Sequence, residues 1–249
     1  MSEITRHQFL ALFAAGGASF LGLSERAFGE PNRGPISPWA RLKYPGRNGD
    51  DDDWNVHPNG DLNLIDAIRS QTSTNVEKKW NVAEVDKLDT MTAFPFLFMH
   101  GDVAPEFDDA QRANLREYLL RGGFLFAEDC VNGKRHRGGR SDEFFRQMAE
   151  VELPKMFPEA TLEKLPLDHP VFHCFHHFDD GLPHMQGQEH GLHGVTVDGR
   201  VVALLSPSDT HCGWTNGDRW FSTEKRIQAV QMGCNVYLYA MTQQGSDEG

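Results

Sequence analysis

Three side chains capable of acid–base chemistry stand at or just beyond the ends of apolar runs in the sequence. They are His100, Asp129 and Asp209. An imidazole and two carboxylates at one place can exchange protons with a substrate or bind a metal ion. We therefore take these three residues as the candidate catalytic residues. The competing interpretation is structural, since aspartates at such positions also cap helices and turns.

Further reactive side chains flank these positions. They are Asp102, Glu128, Cys130, Ser208 and His211. The thiol of Cys130 is open to three interpretations: a nucleophile activated by a histidine, a small buried residue, or half of a disulfide. If the apolar runs form parallel strands, all of these side chains gather at the carboxyl edge of one sheet, where such sheets bind their ligands.

A second group of candidate ligands lies in a histidine-rich segment. Seven of the chain's 12 histidines fall between residues 169 and 193. Within it we take His173, His176, His177 and His190 as candidate ligands for a transition metal, namely zinc, copper or iron. Neither a His-Glu-x-x-His nor a Cys-x-x-Cys-His motif occurs. The alternative is that these histidines are surface or packing residues without a cofactor.

The elements that must position these residues alternate between strand and helix patterns. Strands are predicted at 39–44, 82–88, 94–99 and 124–127, a hairpin at 195–205, and helices at 62–70, 110–121, 143–151 and 223–242. Runs such as 94–99 are apolar throughout, which is typical of strands covered on both faces. This order predicts an α/β fold with a mostly parallel sheet flanked by helices.

Composition limits the class of partner. The chain has 249 residues, of which 39% are hydrophobic, and a formal charge of −12. These values indicate a globular protein rather than a fibrous or disordered one. The acidic charge argues against a nucleic-acid partner, because binding to phosphates needs clustered Lys and Arg. We expect a small molecule or a protein as the partner. Four cysteines are too few for a disulfide scaffold, and their pairing is not readable.

The first residues have the pattern of an export signal. An uncharged run at 9–23 is followed by Ala27-Phe28-Gly29, the small-residue pattern of a cleavage site. The preceding Thr5-Arg6-His7 is similar to a twin-arginine motif, with His7 in place of the second arginine. We expect export to a periplasm, with a retained membrane anchor as the alternative. The predicted organisation is a signal or anchor at 1–29, a single domain at 30–243 and a flexible tail at 244–249.

Three stretches together resemble a known bacterial family. They are FPFLFMHG at 94–101, LREYLLRGGFLFAEDC at 115–130 and FPEATLEKLPLDHPVF at 157–172. The set resembles the family called domain of unknown function 4159, over about residues 39–241. The resemblance implies a flavodoxin-like fold related to the class I glutamine amidotransferase-like proteins, and members that are often exported. It implies no particular reaction.

The wider superfamily suggests one chemical comparison. Its glutaminases carry a nucleophilic cysteine in a Gly-x-Cys-x-Gly turn after the strand that corresponds to 124–127 here. In this sequence Glu128 or Asp129 stands in that place, and the glycine two residues earlier is absent. A sharp nucleophile turn needs small neighbours, and adjacent carboxylates raise the pKa of a thiol. We therefore do not expect a cysteine glutaminase.

The sequence leaves three functions open. We expect an exported binding or accessory module with a transition metal as its candidate cofactor. The first alternative is a periplasmic hydrolase that uses the carboxylates and histidines at the strand ends. The second is a subunit of a larger membrane complex, anchored by its N-terminal segment.

Overall fold

Seven strands form one sheet, and five of them coincide with the apolar runs. The computed structural model describes residues 33–47, 53–101, 103–131, 142–215 and 221–243. The strands are β1 (Ser37–Lys43), β2 (Val76–Glu84), β3 (Phe96–Gly101), β4 (Phe124–Asp129), β5 (Leu162–Lys164), β6 (His193–Val197) and β7 (Arg200–Ser206).

The strand order is β2-β1-β3-β4-β7-β6-β5. The pairs from β2 to β7 are parallel, whereas β6 pairs antiparallel with β7 and β5 antiparallel with β6. After β2 the chain returns to the other side of β1, so the direction of winding reverses between β1 and β3. In parallel sheets this switch point opens a crevice at the carboxyl ends of the strands. The predicted α/β class is confirmed, and the order is that of a flavodoxin-like fold.

Helices cover both faces of this sheet. They are α1 (Asn59–Gln71), α2 (Leu88–Thr92), α3 (Asp109–Leu120), α4 (Glu143–Gln147), α5 (Leu153–Met156), α6 (Thr210–Trp214) and α7 (Thr223–Gln243). A π-helical turn at Met148–Glu152 joins α4 to α5, and it interrupts the single helix that the sequence predicts there. The side chain of Asp108 caps α3 by accepting a hydrogen bond from the backbone N–H of Gln111 at 2.8 Å.

Side chains of the central strands alternate between two apolar cores. Phe96 and Phe98 of β3 pack in the core made with α1, α6 and α7. Leu97 and Met99 pack on the opposite face, with α2 to α5. Because alternation continues to the end of a strand, the same rule assigns each polar residue at the carboxyl edge to one of the two faces.

The second strand differs from its prediction. It begins at Val76 rather than at residue 82 and ends at Glu84. Its neighbour in the sheet is β1, so it is an edge strand, and its side chains are mostly polar and at least partly exposed. Such a strand carries little hydrophobic signal, because one of its sides faces solvent.

Two predictions concern chain outside the described residues. The export signal or anchor at 1–29 and the tail at 244–249 both lie there. In the part of the chain that the structure describes, no helix has the length and apolar character needed to cross a membrane.

Candidate functional site

Three buried side chains from three strand ends converge at the carboxyl edge of the sheet. His100 is the second-to-last residue of β3, Cys130 directly follows β4, and Asp209 follows β7. An imidazole nitrogen, the thiol sulfur and a carboxylate oxygen of these residues all lie within 4.8 Å of one another. Each residue is at most 2% exposed. We call His100, Cys130 and Asp209 the edge triad.

The ring of His100 packs against two other rings. It stacks on Phe98 with ring centroids 5.6 Å apart and lies 4.0 Å from the ring of His211. Neither of its ring nitrogens has a partner of good hydrogen-bond geometry among the described residues, and the backbone of Val56 is the polar group that acts on the ring from nearby. Burial, followed by the neighbouring His211 and Arg41, lowers the pKa of His100 well below 6.5. The ring is therefore neutral, which is the form that binds metals.

Asp209 has an unusual backbone that aims its carboxylate into the site. Its φ of 54° and ψ of 40° are left-handed, a conformation that aspartate tolerates better than most residues. One carboxylate oxygen accepts hydrogen bonds from the backbone N–H of Val131 at 3.2 Å and from the side-chain amide of Gln186. The other oxygen has no partner of good hydrogen-bond geometry among the described residues, and the thiol and backbone N–H of Cys212 act on the carboxylate from nearby. Burial raises the pKa of Asp209 to about 6.

Glu128 fixes the segment that carries Asp209. Its carboxylate accepts hydrogen bonds from the Ser206 hydroxyl at 2.9 Å, from the backbone N–H and hydroxyl of Thr210, and from the backbone N–H of His211 at 2.7 Å. Glu128 is fully buried, and burial raises its pKa to about 7 despite these donors. Its contacts indicate a residue that positions the site.

A buried ion pair supports the site from the other side. Arg41 in β1 and Asp61 in α1 pair at 2.5 Å, and both are at most 1% exposed. Nε2 of His211 lies 3.1 Å from Asp61 Oδ1 and 3.0 Å from Arg41 Nη2. Burial lowers the pKa of His211 to about 4, so this ring is also neutral. The network therefore positions the ring against which His100 rests.

A second thiol lies beside the edge triad. The Sγ atoms of Cys130 and Cys212 are 4.0 Å apart, and the two residues are not joined by a disulfide. Cys212 belongs to α6 and is partly exposed, whereas Cys130 is buried. Two thiols at this edge add soft donors to the imidazole and the carboxylate.

The charge of this edge is unbalanced among the described residues. Glu128, Asp129 and Asp209 are all buried, and none forms an ion pair with a described side chain. Burial raises the pKa of all three carboxyl groups. The nearby guanidinium of Arg41 is already paired with Asp61. A bound cation would offset the cost of ionising these carboxylates.

The three candidate catalytic residues do not all face the same way. His100 and Asp209 meet in the edge triad, as described above. Asp129 follows the alternation of β4 to the opposite face, where it accepts a hydrogen bond from the backbone N–H of Phe145 at 2.9 Å. Asp102 lies outside the described residues.

The four candidate histidine ligands are spread over several contacts. Nδ1 of His173 lies 3.4 Å from Nδ1 of His177, while His176 contacts the side chain of Gln71. His190 hydrogen-bonds Asp142 at 2.8 Å and stacks on a phenylalanine ring. Within the described residues, the edge triad is the group of metal-binding side chains that converges this closely.

A cleft of about 610 Å³ reaches Ser208, the residue before Asp209, although no member of the edge triad lines it. The histidine-rich segment lines it, together with Lys164 and Ser208. Ser208 precedes Asp209, and the backbone N–H of Met185 donates to the Ser208 carbonyl at 3.1 Å. The cleft is therefore continuous in sequence and packing with the loop that carries Asp209.

Sequence reasoning missed the roles of Arg41, Asp61 and Cys212. A signal for Arg41 was present, because a charged residue stands inside the otherwise apolar pattern of β1. Buried charges are paired in folded proteins, but the sequence does not reveal which carboxylate lies opposite. Cys212 stands three residues after Asp209, close enough to share a turn with it.

The comparisons with known proteins identify a family. No curated protein shows a significant match to the chain. The family model described as domain of unknown function (DUF4159) matches residues 39–241, which include every member of the edge triad and the whole sheet except its first two residues. On this match, the chain belongs to the DUF4159 family.

Proposed function

We propose that this domain binds a transition-metal ion at the carboxyl edge of its sheet and acts as an exported binding or accessory module. The observation that carries the proposal is the convergence of the edge triad within 4.8 Å in a buried setting. Zinc, copper and iron all accept imidazole and thiolate ligands, whereas magnesium and calcium prefer oxygen. We expect zinc or iron(II) before the harder ions.

The unsatisfied atoms of the triad support a bound cation. Both ring nitrogens of His100 and one oxygen of Asp209 are buried without a partner of good hydrogen-bond geometry among the described residues. A buried polar atom left unpaired costs about 1–3 kcal/mol. A metal ion would satisfy one nitrogen of His100 and the free oxygen of Asp209 at once.

Metal analysis of variants tests the location of the site. The full chain, purified without chelator, is expected to hold a single transition-metal ion that is lost in His100→Ala and in Asp209→Asn. The matched control is His173→Ala with His177→Ala, which removes the closest pair in the histidine-rich segment. Loss of metal in the control and not in His100→Ala would move the site to that segment. Absence of tight zinc, copper or iron binding to the wild type would refute the proposal.

A periplasmic hydrolase is the second candidate. The observation in its favour is that the pKa of Asp209, about 6, is close to neutral and that the neutral ring of His100 lies beside it. Such a pair suits general acid–base chemistry. The adjoining cleft would then hold the small-molecule substrate. This hydrolase could act with or without a metal, but a metal that activates water keeps an open coordination position. In the metal-dependent case, the number of protein ligands therefore separates the two candidates.

Relation to the class I glutamine amidotransferase-like proteins is part of the proposal. The flavodoxin-like strand order supports this relation. Glu128 or Asp129 stands in the place of the superfamily's nucleophile, and the carboxylate of Glu128 holds the start of α6. We therefore propose a domain that keeps the fold without glutaminase chemistry.

Export is proposed from the sequence of residues 1–29, and the anchored subunit remains its alternative. Cell fractionation and intact-mass measurement test it. A chain beginning near Glu30 in the envelope fraction is expected, full-length chain in the membrane would indicate the anchor, and full-length chain in the cytosol would refute export.

A further inference from the structure

We infer that Cys212 is a fourth metal ligand, so that the site is a closed centre of two thiolates, one imidazole and one carboxylate. The inference rests on the proposed metal site and extends it to a residue outside the edge triad. Its consequence is a change of function class. A metal held by four protein ligands is typical of a structural or binding site, whereas a hydrolytic metal keeps a position for water.

The distance between the sulfurs is the first support. The Sγ atoms of Cys130 and Cys212 are 4.0 Å apart. Two thiolates bound tetrahedrally to zinc, each at about 2.3 Å, lie about 3.8 Å from each other. A disulfide requires a separation of about 2.05 Å. The observed separation is therefore close to that of two ligands of one ion and far from that of a bond.

The local fold presents Cys212 to the same place as Asp209. The backbone N–H of Cys212 donates to the Asp209 carbonyl at 3.2 Å, which closes one turn between them. Glu128 anchors the start of that turn through the backbone N–H groups of Thr210 and His211. Residues three apart on a helical turn lie on one side, so the carboxylate and the second thiol are held together.

The exposure of Cys212 provides a path for the ion. The edge triad is buried, but Cys212 is partly exposed at the same edge. A buried metal centre needs an entry path. An ion captured first by Cys212 would then reach Cys130, whose Sγ lies 4.0 Å from that of Cys212.

Cobalt(II) spectroscopy of the reduced full chain counts the thiolate ligands. The probe is cobalt(II) alone, and the signal is the thiolate-to-cobalt charge-transfer absorption. Because one of two sulfur–cobalt bonds is lost, we expect Cys212→Ser to reduce this absorption by about half. The matched control is Cys174→Ser, which removes the exposed cysteine and is expected to change nothing.

The outcomes separate this inference from the proposed function. If cobalt binds but Cys212→Ser leaves the charge-transfer absorption intact, Cys212 is not a ligand and the metal site of three residues stands. If no cobalt binds to the wild type, the proposed function itself fails.

A second measurement needs no variant. Zinc should protect Cys212 from alkylation by iodoacetamide while Cys174 reacts at the same rate with and without zinc, as read by peptide mapping. Equal alkylation of Cys212 with and without bound zinc would overturn the inference. Recovery of a Cys130–Cys212 disulfide in protein kept reduced and loaded with zinc would also overturn it.

Discussion

Glu128 accepts a hydrogen bond from the backbone N–H of His211 at 2.7 Å, and this contact ties the end of β4 to the start of α6. The same carboxylate accepts a hydrogen bond from the backbone N–H of Thr210 at 2.8 Å. Asp209 stands immediately before these two residues, in a left-handed conformation. The position of a candidate metal ligand is thus set by a carboxylate that belongs to a different strand.

This relationship predicts that Glu128→Gln destabilises the fold. An amide has one oxygen, so its NH₂ group must face an N–H or O–H donor that the carboxylate now accepts. The loss of one buried hydrogen bond, with a donor left unpaired, costs about 1–3 kcal/mol. Urea denaturation at pH 7 measures this change.

The control for Glu128→Gln is Glu117→Gln, which removes an exposed ion pair with Arg121 on α3. Such pairs contribute about 0.5 kcal/mol or less. Equal unfolding midpoints for Glu128→Gln and the wild type would show that the carboxylate does not hold α6 in place.

Asp209→Asn is expected to stabilise the metal-free protein at pH 7. The amide is neutral, has the shape of the protonated carboxyl group, and tolerates the left-handed backbone. In the wild type, burial raises the pKa of Asp209 from 3.8 to about 6, so its stabilising contribution is present below pH 3.8 and is lost as the pH rises through 6. The neutral amide of Asp209→Asn keeps this contribution at pH 7. The expected gain in the free energy of unfolding is on the order of 2 kcal/mol.

Thermal denaturation with chelator present, between pH 4 and 7, measures this gain. The advantage of Asp209→Asn should shrink as the pH falls from 6 towards 4, because the wild-type carboxyl group becomes protonated in the folded state. With saturating zinc the wild type should become more stable than Asp209→Asn, since zinc binding to the native state stabilises the wild type alone. A variant less stable than the chelated wild type at pH 7 would contradict the prediction.

The sequence predicts the sheet better than it predicts the site. Apolar runs such as 94–99 identify the buried strands, and the rule for strand ends brings His100 and Asp209 to one edge. The alternation of β4 also separates Glu128 from Asp129, because His100 stands opposite Glu128 in the register of β3 and β4. That period-two signal was available in the sequence and distinguishes the two carboxylates.

The remaining features depend on contacts between distant parts of the chain. Arg41 and Asp61 belong to different elements, and no pattern in the sequence selects this pair over others. The histidine-rich segment shows the opposite problem. Its histidines are close along the chain, but its regular structure before β6 is a 3-10 turn at Pro170–Phe172. Spacing along an irregular segment does not determine which side chains meet.

Asp61→Asn tests the buried ion pair. Removing one partner leaves the guanidinium of Arg41 buried and uncompensated, which costs about 3–5 kcal/mol. Burial acts to raise the pKa of Asp61, but hydrogen bonds from Arg41 and His211 prevail and lower it from 3.8 to about 2. The contribution of this carboxylate is therefore fully present above pH 3.8 and is lost as the pH falls through 2.

Urea denaturation at pH 7 and at pH 4.5 checks this prediction, and the deficit of Asp61→Asn should be similar at both values. The control is Asp66→Asn on the exposed side of α1, which should change the free energy of unfolding by about 0.5 kcal/mol or less. A deficit no larger than that of the control would show that the ion pair contributes little.

Gly60→Ala is expected to disturb the site from α1. A Cβ atom at residue 60 would lie 2.6 Å from Nε2 of His211, whose ring is enclosed by His100 and Trp214 and has little room to move. Alanine is more favourable than glycine in a helix by up to about 1 kcal/mol. A net loss of about 1–3 kcal/mol in the free energy of unfolding would therefore be due to overpacking. Zinc affinity should also fall, because the displaced His211 ring presses on His100. Calorimetric titration with zinc and urea denaturation measure the two effects.

Asn59→Ala, on the exposed side of the same turn, is the control for Gly60→Ala and should preserve both the stability and the zinc affinity. Wild-type stability and zinc affinity in Gly60→Ala would show that His211 does not position His100.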